Sequence, residues 1–240
     1  MATRSLNVDE KPFSQIEVDK NDTNARTSAN KVCVFDMDGT LTNSNCVAKR
    51  ALFNLATDDG YEFTEDFFTR VTPLGFEGGT RFYMEYFKVN EDFEAVNKRF
   101  VQHFIDAYKG DVPLKDGVRN YLSELKAKGA RLFVLSANIH PIVDPCLKSL
   151  GLYELFETVW TVDDFGMTKA DKRIYSELSR RIGCHPCEIN FFDDSVIAIE
   201  TAKQAGCVCY GVFDNHEQPE LLRMKACARR VVYSFNDLLS

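Results

Sequence analysis

Apolar positions along the chain fall into two regimes. From Val47 to Tyr108 they recur at spacings of three and four: Phe63, Phe67 and Phe68, then Phe82, Tyr83, Tyr86 and Phe87, then Phe93, Val96, Phe100, Phe104 and Ile105. That period follows one face of an α-helix, so the segment predicts several short helices packed around an aromatic core. Elsewhere the apolar residues gather in short continuous runs bounded by turn residues, as in strands covered on both faces of a parallel sheet. Val32–Phe35, Arg131–Leu135, Thr158–Val162, Ile189–Phe192 and Cys207–Val212 are such runs. Helical stretches stand between them at about Gly117–Lys128, Pro141–Leu150, Ala170–Ile182 and Val196–Ala205.

Strands alternating with helices of this length predict βαβ units with right-handed crossovers. The fold class is therefore α/β, a Rossmann-like parallel sheet with helices on both faces and a helical subdomain inserted into it. Residues 31–44 and 111–240 make the α/β core and 45–110 the helical insertion. Residues 1–30, rich in Asn, Asp, Thr and Ser and without periodicity, predict a disordered tail.

Charge narrows the partners. With 29 basic against 36 acidic residues the net charge is -7, which argues against general binding to nucleic acid or to an anionic membrane. An anionic substrate would then need a cation placed locally. No apolar stretch has the length of a membrane span and the N-terminus lacks a secretory pattern, so a cytosolic protein is expected. Of the eight cysteines, Cys33 and Cys207 sit in apolar runs typical of buried reduced thiols, and the single CxxC at Cys184/Cys187, without a second CxxC or a histidine pair, argues against a zinc or redox site.

The polar residues with chemical potential all follow strands: Asp36 and Asp38 after the first, Ser136-Ala137-Asn138 after the second, Asp193-Asp194 after the fourth. Ligands in open α/β sheets bind outside the carboxyl ends of the strands, so these groups should converge. Four carboxylates at one rim repel unless a cation compensates them. An all-oxygen set selects Mg²⁺, which keeps one or two carboxylates, waters and a substrate phosphate. The chemistry indicated is phosphoryl transfer.

These residues resemble the haloacid dehalogenase-like hydrolase superfamily. Asp36-Met37-Asp38-Gly39-Thr40 matches its first motif, Ser136 its second, Lys169 in "TKADKRIY" its third and Asp193-Asp194 its fourth, over roughly residues 31–235. The resemblance is to the subgroup whose helical cap lies between the first two motifs. It implies Asp36 as the nucleophile that forms an aspartyl-phosphate and Asp38 as general acid and base, with its backbone carbonyl on the metal. Ser136 and the neighbouring amides of Ala137 and Asn138 would hold phosphate oxygens. Lys169 would supply positive charge, and Asp194 would bind Mg²⁺ directly with Asp193 in its outer shell.

Three departures from the family pattern affect loop geometry but no reacting group: Thr42-Asn43-Ser44-Asn45 after the first motif, Ala170 and Lys172 around the lysine, and Ala198 after the fourth motif. A phosphatase acting on a small phosphorylated metabolite is the leading expectation. A sugar-phosphate mutase on the same core and a non-catalytic binding module stand as alternatives, and the acid at Asp38 disfavours a dehalogenase. Gly75, Gly78 and Gly79 interrupt the helical pattern before Arg81, suggesting a flexible loop whose arginine reads a distal anion of the substrate.

Overall fold

A computed structural model describes residues 31–239; the expected tail at 1–30 lies outside the described residues. Six strands form one all-parallel sheet: β1 (Val32–Phe35), β2 (Arg131–Ser136), β3 (Thr158–Thr161), β4 (Ile189–Asp193), β5 (Val208–Val212) and β6 (Arg230–Val232). Their order is β3-β2-β1-β4-β5-β6. The chain builds outward from β1 in one direction, then returns to β1 and builds in the other, so the order reverses between β1 and β4.

Alternation along each strand explains why the runs are continuously apolar. Cys33 and Phe35 enter one core, with Leu132, Val134 and Phe192, while Val32 and Val34 enter the opposite one, with Phe133, Leu135 and Phe191. Both faces are covered, and each fully buried Phe contributes about 1.5–3 kcal/mol. Phe35 stacks on Phe192 at 4.5 Å between ring centroids, which joins β1 to β4 directly behind the rim.

Four helices occupy the insertion: α1 (Asn45–Asp58), α2 (Glu65–Val71), α3 (Gly75–Phe87) and α4 (Phe93–Tyr108). Thr64 and Asp92 cap α2 and α4, accepting hydrogen bonds from the backbone amides of Phe67 and Ala95. The aromatic stripe is a core, in which Phe67, Tyr83 and Phe100 are buried with Leu52, Leu55, Val71 and Val96. The insertion is tied to the sheet at one seam. Val47 and Ala51 of α1 and Ala107 and Tyr108 of α4 belong to the same core as β1 and β2. Its entry and exit segments pair, with Asn43 N–H donating to the Pro113 carbonyl at 2.8 Å and Lys115 N–H to that of Leu41 at 2.9 Å.

The loop expected at Gly75–Gly79 is instead the first turns of α3. A Cβ on Gly79 would lie 3.0 Å from the Phe100 ring, so the glycine permits α3 to approach α4 closely. Packing in three dimensions outweighs the intrinsic cost of glycine in a helix.

After the insertion come α5 (Val118–Ala127), α6 (His140–Ser149), α7 (Arg173–Ile182), α8 (Val196–Gln204) and α9 (Gln218–Cys227). Helix α7 starts at Arg173 rather than Ala170, because the Asp171 carboxylate accepts the Arg173 amide hydrogen at 2.9 Å and holds the preceding residues in a turn. Helix α9 and the short edge strand β6 were not apparent from the sequence pattern; α9 buries only Met224 among its residues.

Candidate active site

The carboxyl ends of β1 and β4 are adjacent at the point where strand order reverses, the usual ligand position in such sheets. Asp36 follows β1 directly and its amide donates to the Phe192 carbonyl at 2.9 Å, which brings it beside Asp193, the last residue of β4. One carboxylate oxygen from each of Asp36, Asp193 and Asp194 lies within 4.8 Å of the other two. Lys169, from the turn before α7, donates to Asp36 at 2.5 Å and to Asp193 at 2.8 Å. Asp193 also accepts the Ser195 amide hydrogen at 2.8 Å, at the start of α8.

Asp36, Asp193 and Lys169 are buried and Asp194 half-buried, and the cluster carries more negative than positive charge. Burial, joined by the charges of Asp193 and Asp38 and opposed by Lys169, pushes the Asp36 carboxyl up to about 7. Asp194 is raised well above the carboxylate range by burial and by Asp193, Asp36 and Asp214. For Lys169 burial acts downward, but Asp193 and Asp36 outweigh it and hold the ammonium charged. One ammonium thus serves a group of three carboxylates, leaving a place for a hard divalent cation. The donor set, all oxygen and all carboxylate, fits Mg²⁺.

Backbone shape makes that place. Gly39 has φ of +77°, and a Cβ on it would stand 2.4 Å from Asp194 Oδ2. Only glycine allows the loop after β1 to pass so close to this carboxylate. On its other side, Asp214 N–H donates to His216 Nδ1 at 3.1 Å, which leaves the proton on Nε2 to bond the Asp194 carbonyl at 2.6 Å. The loop after β5 therefore braces the loop after β4.

The carboxylate of Asp38 stands outside the three-carboxylate cluster and has its own donors. Tyr108, the last residue of α4, donates its hydroxyl to Oδ1 at 2.6 Å, and the Asn138 side-chain amide donates to Oδ2 at 3.0 Å. The Ser136 hydroxyl, fully buried at the end of β2, accepts the Asn138 amide hydrogen at 3.0 Å and shapes that turn, while Ala137 is exposed. Arg81 is placed elsewhere. It is exposed on α3, paired with Glu77 at 2.8 Å and with its guanidinium 4.4 Å from the centre of the Phe93 ring. The flexible arginine-bearing loop is thus corrected to a helix in which Arg81 already has partners.

Tyr108, His216 and Tyr175 escaped the sequence reading. Tyr175 donates to the carbonyl of Lys169 at 2.9 Å and lies 3.1 Å from that of Ala198, fixing the turn that presents the lysine. Tyr175 and Tyr108 sit in helical apolar patterns indistinguishable from core positions, and His216 lies in a polar loop; no sequence signal separated them.

Residues 33–212 match the family model of haloacid dehalogenase-like hydrolases. The chain belongs to this family. Within it, the chain is 28% identical over 186 residues to the chloroplastic protein Suppressor of Quenching 1 of Arabidopsis thaliana, covering 75% of this chain but only 17% of that protein's length. A phosphorylated carbohydrates phosphatase of Thermotoga maritima is 27% identical over 180 residues, covering 75% of this chain and 83% of the relative. Among solved structures, a Thermotoga maritima protein assigned as a β-phosphoglucomutase superposes with a TM-score of 0.75 at 26% identity, covering 87% of this chain and 96% of the other. Among the described residues, no helix is long and apolar enough to cross a membrane.

Proposed function

We propose that this hydrolase is a Mg²⁺-dependent phosphatase that cleaves a small phosphorylated metabolite through an aspartyl-phosphate on Asp36. The observation that carries the reading is the division of carboxylates: Asp36 shares Lys169 and the Asp193–Asp194 cluster, whereas Asp38 is held apart by Tyr108 and Asn138. One acid is prepared as a charge-compensated nucleophile and the other as a proton carrier.

Asp36, Asp194 and, through its carbonyl, Asp38 would hold Mg²⁺, with Asp193 orienting them. When bound, the cation neutralises phosphate charge and keeps Asp36 ionised. An Asp36 oxygen attacks phosphorus as the bond to the leaving oxygen breaks, and Asp38 gives that oxygen its proton. In the second step Asp38 takes a proton from water, whose oxygen attacks phosphorus and frees Asp36. Lys169 balances negative charge on the transferring group and on Asp36. The Ser136 hydroxyl hydrogen and the Ala137 amide bind phosphate oxygens, the Asn138 amide being held by the Ser136 oxygen instead, and the helical insertion acts as a cap over the site.

The T. maritima phosphatase relative supports a phosphorylated carbohydrate as the substrate class. The β-phosphoglucomutase likeness supports a second reading, in which the cap excludes water and the phosphoryl group returns to a sugar. Assay of inorganic phosphate against a panel of sugar phosphates separates them. A phosphatase releases phosphate with Mg²⁺, loses activity in EDTA and is not restored by Ca²⁺, whose larger shell misplaces Asp36. Isomer formation without phosphate release would favour the mutase, and activity undiminished after metal stripping would refute both.

A further inference from the structure

Asp38 would have to change protonation twice in each turnover, so what holds its carboxylate matters as much as its presence. Tyr108 reaches it from a place the chemistry does not otherwise use, the last turn of α4 where the chain leaves the insertion. The ring is buried, 5% exposed, among apolar residues that include Val47, Ala51 and Ala107. A hydroxyl in such a place must find a polar partner. Its oxygen lies 2.6 Å from Asp38 Oδ1. The hydroxyl donates its proton to this carboxylate oxygen, which accepts.

Resting on the proposed phosphatase chemistry, we infer that Tyr108 is a positioning residue for Asp38, setting the plane in which that carboxyl delivers its proton to the leaving oxygen. Each carboxylate oxygen offers two acceptor sites. Tyr108 fills one on Oδ1 and Asn138 one on Oδ2, so the carboxyl group is fixed about both torsions while one site per oxygen stays open to the leaving oxygen or to water. Asn138 belongs to the core and Tyr108 to the insertion, so the aim of Asp38 is set by both parts of the molecule at their seam. Without the phenol hydroxyl, Oδ1 loses its donor and the carboxyl group can rotate about its remaining bond to Asn138.

Tyr108→Phe removes the oxygen alone and keeps the packed ring. The test compares kcat/KM across aryl phosphates of graded leaving-group acidity, with Mg²⁺ present, since this parameter reports only steps up to departure of the aryl alcohol. Phenyl phosphate, whose leaving group has a pKa of about 10, needs the proton, whereas p-nitrophenyl phosphate hardly does. The variant should lose about tenfold or more on phenyl phosphate and less than about threefold on p-nitrophenyl phosphate, because general acid catalysis serves mainly the poor leaving group. Melting curves check that the variant folds. Equal losses on both substrates, or none on either, would overturn the positioning role while wild-type turnover still upheld the phosphatase. If the wild type hydrolysed no aryl phosphate and Asp36→Asn behaved identically, it is the underlying phosphatase reading that would fail.

Discussion

Gly39→Ala tests how tightly the loop after β1 is drawn against Asp194. A Cβ there meets Asp194 Oδ2 at 2.4 Å and its Cγ at 2.7 Å, where ordinary contact begins at 3.4 Å. The carboxylate must therefore retreat by 1.0 Å, the difference between 3.4 and 2.4 Å. Displacement of a reacting constellation by about 1 Å can cost on the order of 10²-fold in rate. Alanine at φ of +77° adds about 1–2 kcal/mol of backbone strain. In a domain of this size that lowers the melting temperature by roughly 2–8 °C. Two effects thus separate in magnitude, a modest loss of stability and a large loss of turnover. The assay is phosphate release at saturating Mg²⁺ beside melting curves with and without Mg²⁺. Wild-type protein should melt higher with Mg²⁺, because a ligand of the folded state alone stabilises it, and the variant should lose most of that increment. Wild-type turnover together with a wild-type Mg²⁺ increment would refute the placement of Asp194 against this loop.

Two further outcomes follow from the charges. The Asp36 carboxyl rises from the ordinary 3.8 to about 7, so metal-free folded protein retains a proton that the unfolded chain has released. Metal-free stability therefore falls as pH rises from about 4 to about 7, and the Mg²⁺-induced gain in melting temperature should grow across the same window; an increment independent of pH there would contradict the buried, cation-seeking site. Because Arg81 is already held by Glu77 and Phe93, Arg81→Ala should leave kcat/KM little changed on every phosphate tried, and a loss confined to one metabolite would restore the anion-reading role first suggested for it.

How much of this was legible in the sequence depended on range. Asp36 directly follows a buried strand and Ser136 and Asp193 end theirs, and a buried parallel strand shows itself as an uninterrupted apolar run, so their common rim could be read from local pattern. Tyr108 could not. Its partner Asp38 is 70 residues away, and in its own helix it occupies an ordinary core position. Gly79 misled for a related reason: locally a glycine breaks a helix, but here its missing side chain makes room for Phe100 on a different helix. Helix α9 and strand β6 escaped because one buries a single residue and the other is three residues long at the sheet edge, too little for periodicity to register.

The central claim is that Asp36 itself becomes phosphorylated, and the direct measurement is trapping of that adduct. Asp38→Asn protein, mixed with p-nitrophenyl phosphate and Mg²⁺ and quenched in acid, should load phosphate readily because the leaving group needs no proton, yet release it slowly for want of a base. Mass spectrometry of its peptides should find one phosphoryl group on Asp36, removable by hydroxylamine and absent when Asp36→Asn is added. Phosphate released at the wild-type rate by Asp36→Asn, or a phosphoryl group mapped to any other residue, would contradict the account.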